Sequence, residues 1–92
     1  MRLVLTERFQ QDFSQLDERA RGKALEALFA IPAAFREPSR HAGIGLRKLH
    51  PSGVWEIRIG LDLRLLLLLQ PDTAIVRQVA THDEVKRYLR SL

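Results

Sequence analysis

The sequence predicts an α+β domain with the element order β-α-α-β-β-β-α, in which an antiparallel sheet packs against an N-terminal helical hairpin. Three observations predict this fold. Apolar residues in the first third recur with helical spacing, strand-like segments separated by tight turns fill the second half, and a helix-capping motif opens the last dozen residues. The length suits one domain, so residues 1–92 are expected to form a single unit.

The N-terminal third predicts a strand followed by two helices. Residues 2–5 form a short apolar strand, and the Thr6 hydroxyl is placed to cap the next helix. The apolar face of that helix has i, i+4, i+7 spacing in Phe9, Phe13 and Leu16. Asp17 is the next expected cap, and the second helix carries the stripe Ala20, Ala24, Ala27, Leu28 and Ile31. Pro32 is expected to end it.

The second half predicts a loop and then a three-stranded meander. Proline and glycine mark the segment 32–45 as a loop. Residues 54–59 alternate, so that Trp55, Ile57 and Ile59 face one side of the sheet and Val54, Glu56 and Arg58 face the other. Residues 63–70 are apolar on both faces except for Arg64, which is typical of a buried strand, and residues 73–80 form the next strand.

The last segment predicts a short capped helix. Thr81 and Glu84 have the spacing of a capping box, in which each side chain accepts a hydrogen bond from the other residue's backbone. Acidic residues stand at the start of this helix and basic residues towards its end, as the helix dipole favours. Its packing face is expected to contain Val85, Tyr88 and Leu89.

The charge pattern points to an anionic partner. The chain carries 15 Lys and Arg against 11 Asp and Glu, and no acidic residue occurs from Pro38 to Trp55. Such a balance favours nucleic acid or an acidic protein as partner. The absence of cysteine excludes disulfides, thiolate zinc sites and cysteine catalysis. Three histidines without tight spacing make a poor case for zinc, so we expect no metal and no cofactor.

The sequence predicts no membrane segment. The apolar run Leu65–Leu69 is far shorter than the ~20 residues that span a bilayer. Charges at Arg2 and Glu7 come too early for a signal peptide, so we expect a cytoplasmic protein.

Four segments in order resemble the RelE/ParE superfamily, the toxins of type II toxin–antitoxin systems. Leu46–Leu49 is similar to a K-L-R/K segment of the family, and Ser52–Ile59 resembles its first meander strand. Leu63–Leu66 looks like a Y-R-L-V strand, although Leu63 replaces the usual aromatic residue. Val79–Val85 is similar to the closing segment in which a histidine follows glycine or threonine.

The resemblance implies a toxin that a cognate antitoxin protein holds inactive. The RelE branch comprises mRNA interferases, endoribonucleases that cleave ribosome-bound mRNA without metal, and this branch is the favoured interpretation. The ParE branch instead binds and inhibits DNA gyrase. A third hypothesis is a member without toxicity that acts only in its antitoxin complex.

Under the nuclease hypothesis, Arg64, Arg58 and His82 are the candidate catalytic residues. Cleavage by 2′-OH attack needs proton transfer and cations that stabilise the phosphorane. Arg64 is the sole charge in a leucine-rich strand, and a structural pair with Glu56 or Asp62 is its alternative role. His82 matches the family's histidine, with a packed helix-start residue as the alternative.

Further residues are weaker candidates. The expected RNA-binding residues are Arg47, Lys48, His50 and Lys86, and the possible additional site residues are Glu56, as a base, and Tyr88, which is expected to pack in the core. His41 and Trp55 are also expected to be structural or peripheral. The chain departs from its resemblance in two places. Asp83 stands where many active relatives carry an aromatic or second acid–base group, and Ile44 stands near the glutamate of one nuclease subgroup.

Overall fold

The computed structural model describes residues 1–92. Along the chain the elements are β1 (Arg2–Leu5), α1 (Glu7–Ser14), α2 (Glu18–Arg36), a 3₁₀ turn (Pro38–Arg40), α3 (His41–Ile44), β2 (Leu46–His50), β3 (Val54–Arg58), β4 (Leu63–Gln70), β5 (Thr73–Thr81) and α4 (His82–Arg90). The strands form one sheet in the order β1-β5-β4-β3-β2. None of the helices combines the length and apolar character needed to cross a bilayer.

The predicted α+β class and the antiparallel meander of β3, β4 and β5 are confirmed. The expectation of a wholly antiparallel sheet is wrong, because β1 pairs with β5 in parallel and makes the sheet mixed. The parallel pairing is possible because β1 and its neighbour β5 are far apart in the chain. Helices α1 and α2 and the strands β2 to β4 all lie between them in sequence.

Helices α1 and α2 cover one face of the sheet, which we call the helix face. Their apolar stripes pack against the inward side chains of the strands and form the main core. Its buried members are Phe9, Ala24, Ala27, Leu28, Ile31, Ala34, Leu46, Ile57, Ile59, Leu65, Leu67, Ala74, Val76 and Val79. The three buried alanines of α2 let this helix approach the sheet closely, and Trp55 packs against the same cluster as expected.

Helix α4 packs on part of the opposite face. Val85 is buried there against Val54, Leu66 and Ala80, and Tyr88 and Leu89 pack around them. The central leucines of β4 are fully buried, which confirms the prediction of a strand buried on both faces.

Local capping signals are confirmed at all three predicted helix starts. The Thr6 hydroxyl accepts the Phe9 N–H at 3.0 Å, and Asp17 accepts the Ala20 N–H at 2.8 Å. At α4 both halves of the capping box between Thr81 and Glu84 are present. These caps satisfy backbone donors that have no partner inside the helix.

The segment after Ile31 differs from the prediction. Helix α2 continues through Pro32 to Arg36, because Ala34 and Phe35 extend its apolar stripe onto the core and offset the one hydrogen bond that proline removes. The predicted loop therefore holds the end of α2, the 3₁₀ turn and α3. Residues 46–50 form an additional edge strand, which depends on its pairing with β3.

Candidate nucleic-acid interface

Three neighbouring strands bring a set of charged side chains onto the sheet face that α4 leaves partly uncovered. Arg47 pairs in register with Glu56 across β2 and β3, and Arg58 pairs with Arg64 across β3 and β4. Alternation along β3 places Glu56 and Arg58 on the side of Val54, away from the α2 core. We call this surface, defined by Arg47, Glu56, Arg58 and Arg64, the arginine face.

Arg64 is buried on this face, with only 5% of its surface exposed. Its Nη1 donates to the carbonyl oxygens of Leu63 at 3.1 Å and Gly60 at 3.5 Å, which turns the guanidinium towards the β3–β4 turn. Its Nε lies 3.7 Å from Glu56 Oε2 and has no hydrogen-bond partner. Arg64 thus forms the ion pair with Glu56 that its structural alternative describes, but the pair leaves a buried donor unsatisfied.

Arg58 is exposed and has no acidic partner. It stands directly opposite Arg64, where like charges on paired strands destabilise a sheet unless an anion compensates them. The chain also approaches Arg58 closely at the start of β2. Gly45 there has a φ of 69°, and a Cβ on it would lie 3.2 Å from the Arg58 Cβ. Glycine at this position therefore keeps room beside the arginine stem.

His82 begins α4 at the same end of the sheet. Its backbone N–H donates to the carbonyl oxygen of Asp62 at 3.1 Å, which ties the helix start to the β3–β4 turn that Arg64 also contacts. Its ring is exposed and makes no hydrogen bond within the chain. The topology thus brings Arg58, Arg64 and His82 to one end of one face.

Glu56 is the one acidic residue on the arginine face, and it is 6% exposed. Its Oε2 accepts a hydrogen bond from Arg47 Nη2 at 3.3 Å as well as facing Arg64. The carboxylate is therefore paired on both sides. This environment favours the role of a counter-ion over that of a free general base.

The four expected RNA-binding residues do not all join this site. Arg47 lies on the arginine face, and Lys86 is exposed one helical turn after His82. Lys48 pairs with Trp55 and so belongs to the other side of the sheet. His50 is the last residue of β2, opposite Val54 at the start of β3, and its Nδ1 accepts the Ser52 N–H at 3.1 Å in the β2–β3 turn.

Tyr88 packs in the smaller core, as expected, and carries the guanidinium of Arg77 at 4.7 Å from its ring centre. Arg77 also donates to the side chain of Gln78, a buried residue on the arginine face that is not among the predicted site residues. A polar side chain within an apolar strand is the signal that singled out Arg64, and it would have identified Gln78 too.

His41 is structural, as expected. Its Nε2 donates to the Ala34 carbonyl oxygen at 2.8 Å near the end of α2. Its ring packs edge-on against Phe35 and Trp55, with centroids 5.9 and 5.5 Å away. This aromatic group lies on the helix face and takes no part in the arginine face.

The arrangement is suited to binding a phosphodiester. Two guanidinium groups on adjacent strands offer several donors to phosphate oxygens, and arginine is the side chain best shaped for such contacts. An imidazole at the same end is a side chain of the kind that transfers protons in general acid–base catalysis. The hydrogen bond from the Thr81 N–H to Glu84 anchors the first turn of α4. The same bond lowers the pKa of the Glu84 carboxyl below its ordinary 4.5.

The fold is shared with solved toxin structures. A YoeB/ParE toxin from Agrobacterium tumefaciens is 27% identical, with a TM-score of 0.66, over 89% of this chain and 99% of that chain. YoeB from a Staphylococcus aureus dimer is 20% identical, with a TM-score of 0.67, over 89% and 97%. A chain of the RelB–RelE antitoxin–toxin complex of Methanococcus jannaschii is 16% identical, with a TM-score of 0.66, over 92% and 96%.

No protein-family profile and no curated protein matches the chain. The structural likeness nevertheless extends over nearly the whole length of each solved protein, and the four sequence segments noted above fall on β2, β3, β4 and the junction of β5 with α4. By this fold, and by its likeness to the Agrobacterium toxin, the chain belongs to the RelE/ParE superfamily.

Proposed function

We propose that this chain is the toxin of a type II toxin–antitoxin system and an endoribonuclease that cleaves ribosome-bound mRNA. One observation carries the proposal. Arg58 and Arg64 stand opposite each other on paired strands, and the buried Arg64 keeps an unsatisfied Nε donor. Two like charges held together without a matching number of acids form a site that an anion would stabilise. The phosphate between two nucleotides has the required charge and acceptors.

Each residue has a distinct role in the proposed reaction. The 2′-OH attacks the adjacent phosphorus while the 5′-oxygen leaves, so the transition state gains negative charge on the phosphate oxygens. Arg58 and Arg64 stabilise that charge, an effect for which loss of one donor typically costs ~10²–10³ in rate. His82 transfers a proton to or from the reacting oxygens. Arg47 and Lys86 contact neighbouring phosphates, where each cation adds affinity without base specificity.

The test is induction of the protein in cells followed by mapping of mRNA ends. We expect cuts within translated regions and arrest of protein synthesis. Arg58→Gln and His82→Gln alter exposed side chains, so the fold should persist while cleavage falls at least ~10²-fold. Arg90→Gln removes an exposed charge from the last turn of α4 and is the matched control, with cleavage unchanged. Intact mRNA during growth arrest would reject the nuclease.

Inhibition of DNA gyrase by binding is the second candidate function. It is favoured by the surroundings of His82, whose ring makes no hydrogen bond within the chain and whose neighbour Asp83 offers no aromatic or cationic acid–base group. A supercoiling assay with purified gyrase separates the two functions. Inhibition at micromolar protein, together with intact mRNA, would establish gyrase as the target.

We also propose that an acidic antitoxin covers the arginine face. The chain has a net charge of +4, and the Methanococcus jannaschii relative was solved with its antitoxin RelB. A partner that places carboxylates against Arg58 and Arg47 would block the phosphate site by charge complementarity. Co-expression with the adjacent reading frame should yield a stable complex, and Arg58→Glu should weaken it.

A further inference from the structure

The carboxylate of Glu56 is an anion already held between two guanidinium groups of the arginine face. Its Oε2 lies 3.3 Å from Arg47 Nη2 and 3.7 Å from Arg64 Nε. Both arginines belong to the surface on which the proposed function places RNA. The protein therefore carries its own anion among the guanidinium groups that are meant to bind an external one.

This ion triad is incomplete. A buried carboxylate is stable only when its charge is paired and its oxygens are hydrogen-bonded. Glu56 Oε2 accepts one hydrogen bond, from Arg47, while the buried Arg64 Nε donates none. A fully structural salt bridge would satisfy this donor. Here the arginines retain donors for a second anion.

The two arginine side chains differ in exposure and in the contacts that hold them. The Arg47 side chain is 68% exposed and lies on the edge strand β2, whereas the Arg64 side chain is 6% exposed and is fixed by two backbone carbonyls. Arg47 is exposed enough to turn from Glu56 to a ligand, but the move removes the one hydrogen bond of a carboxylate that is 8% exposed and therefore costs free energy. Arg64 stays in place, and because its Nε is enclosed it acts on the same ligand mainly through its charge.

We propose that Glu56 is the resident anion of the phosphate site and lowers its affinity for any single phosphate. An incoming phosphate takes Arg47 from Glu56 and is repelled by the carboxylate that remains beside it. Only a ligand with further contacts, such as an RNA chain whose next phosphate reaches Lys86, overcomes this repulsion. The proposal rests on the proposed function and deepens it, because it makes Glu56 a residue that sets RNA affinity rather than a catalytic base.

The test compares phosphate binding by the wild type and Glu56→Gln. The probes are inorganic phosphate and a short oligonucleotide with 2′-deoxyribose, which cannot be cleaved by 2′-OH attack. Arginine Nε–H signals in ¹H–¹⁵N spectra report binding at Arg64 directly. Removal of one adjacent charge should tighten phosphate binding by about tenfold. Glu26→Gln removes an equal charge from an exposed position on α2 and should leave the affinity within about twofold.

A second variant decides the matter if Glu56→Gln fails to fold. Arg47 is largely exposed, so Arg47→Gln should fold. Under this proposal it weakens phosphate binding several-fold, because the ligand loses a donor. If Arg47 and Glu56 form only a structural pair, the affinity does not change.

The outcomes separate this inference from the endoribonuclease proposal. Equal phosphate affinity in the wild type and a folded Glu56→Gln, or unchanged affinity in Arg47→Gln, overturns the role of Glu56 whether or not mRNA is cleaved. Tighter binding in Glu56→Gln without any mRNA cleavage supports the resident anion and rejects the nuclease.

Discussion

Replacement of Thr81 by alanine removes the cap that starts α4 and orients His82. In the intact cap, the Thr81 hydroxyl accepts the Glu84 N–H at 3.2 Å, and Glu84 Oε1 accepts the Thr81 N–H at 3.0 Å. Alanine abolishes the first bond and leaves a helix donor without its partner. The first turn, which includes His82, is then free to fray.

The expected cost follows from this geometry. Loss of a threonine N-cap typically destabilises a protein by about 1 kcal/mol, within a range of roughly 0.5–2 kcal/mol. In a domain of this size 1 kcal/mol lowers Tm by about 4–8 °C. Because α4 buries Val85 against the sheet, we expect the loss to appear in global unfolding rather than in local fraying alone.

The same cap gives stability a defined pH dependence. The hydrogen bond from the Thr81 N–H lowers the pKa of Glu84 in the folded protein below its ordinary value of 4.5. A carboxyl whose pKa is lower in the folded state contributes stability that is fully present above about pH 4.5 and is lost as the pH falls through the folded pKa. In Glu84→Gln the side-chain oxygen remains an acceptor, but this acid-dependent part of the stability is absent.

Urea unfolding followed by circular dichroism measures both effects, at pH 7 and at steps from pH 5 to pH 3. Ser39→Ala changes an exposed hydroxyl outside any cap and should alter stability by less than about 0.5 kcal/mol. A Thr81→Ala variant as stable as the wild type would refute the role of the cap. So would a Glu84→Gln variant that loses stability in acid as steeply as the wild type.

Two further predictions concern the sheet. Leu65→Ala opens a cavity at a fully buried position and should lower the free energy of unfolding by about 2–5 kcal/mol. Its control is Leu61→Ala at a turn position that is 98% exposed, which should change the free energy of unfolding by less than about 0.5 kcal/mol. Gly53→Ala should destabilise the protein by more than about 1 kcal/mol, because Gly53 has a φ of 98° and a Cβ there would lie 2.7 Å from the Leu69 carbonyl oxygen. Its control is Gly22→Ala on α2, which has open space around it and should stabilise the protein by about 0.5–1 kcal/mol. Chemical denaturation tests both pairs, and equal stability of either pair's two members would contradict the packing described.

Features decided within a few residues were predictable from the sequence. The caps at Thr6, Asp17 and Thr81 depend on side chains next to the helices they start, and the leucine-rich strand is identified by its own composition. Features decided by distant contacts were not. Pro32 remains helical only because the sheet supports the residues beyond it, and β2 exists only as the partner of β3.

The candidate site shows the same division. Arg64 was identifiable as a charge in an apolar strand, and the alternation of β3 placed Glu56 and Arg58 on one side. The contact of Glu56 with Arg47 was not predictable, because it needs the register of an unpredicted strand. The faces of β5 were not predictable by alternation alone, because this strand shifts register opposite Leu66 and Leu67. Bulges of this kind often lie beside functional surfaces.

The most direct test of the arginine face as a catalytic site is the chemistry of the ends it produces. A synthetic mRNA bound to purified ribosomes should be cut to give a 2′,3′-cyclic phosphate and a 5′-hydroxyl, and a single 2′-deoxyribose at the cleaved nucleotide should abolish the cut. Arg58→Gln should slow the same reaction by ~10² or more. Cleavage that persists through the deoxyribose, or that proceeds at the wild-type rate without Arg58, would contradict attack by the 2′-OH on a phosphate held by these arginines.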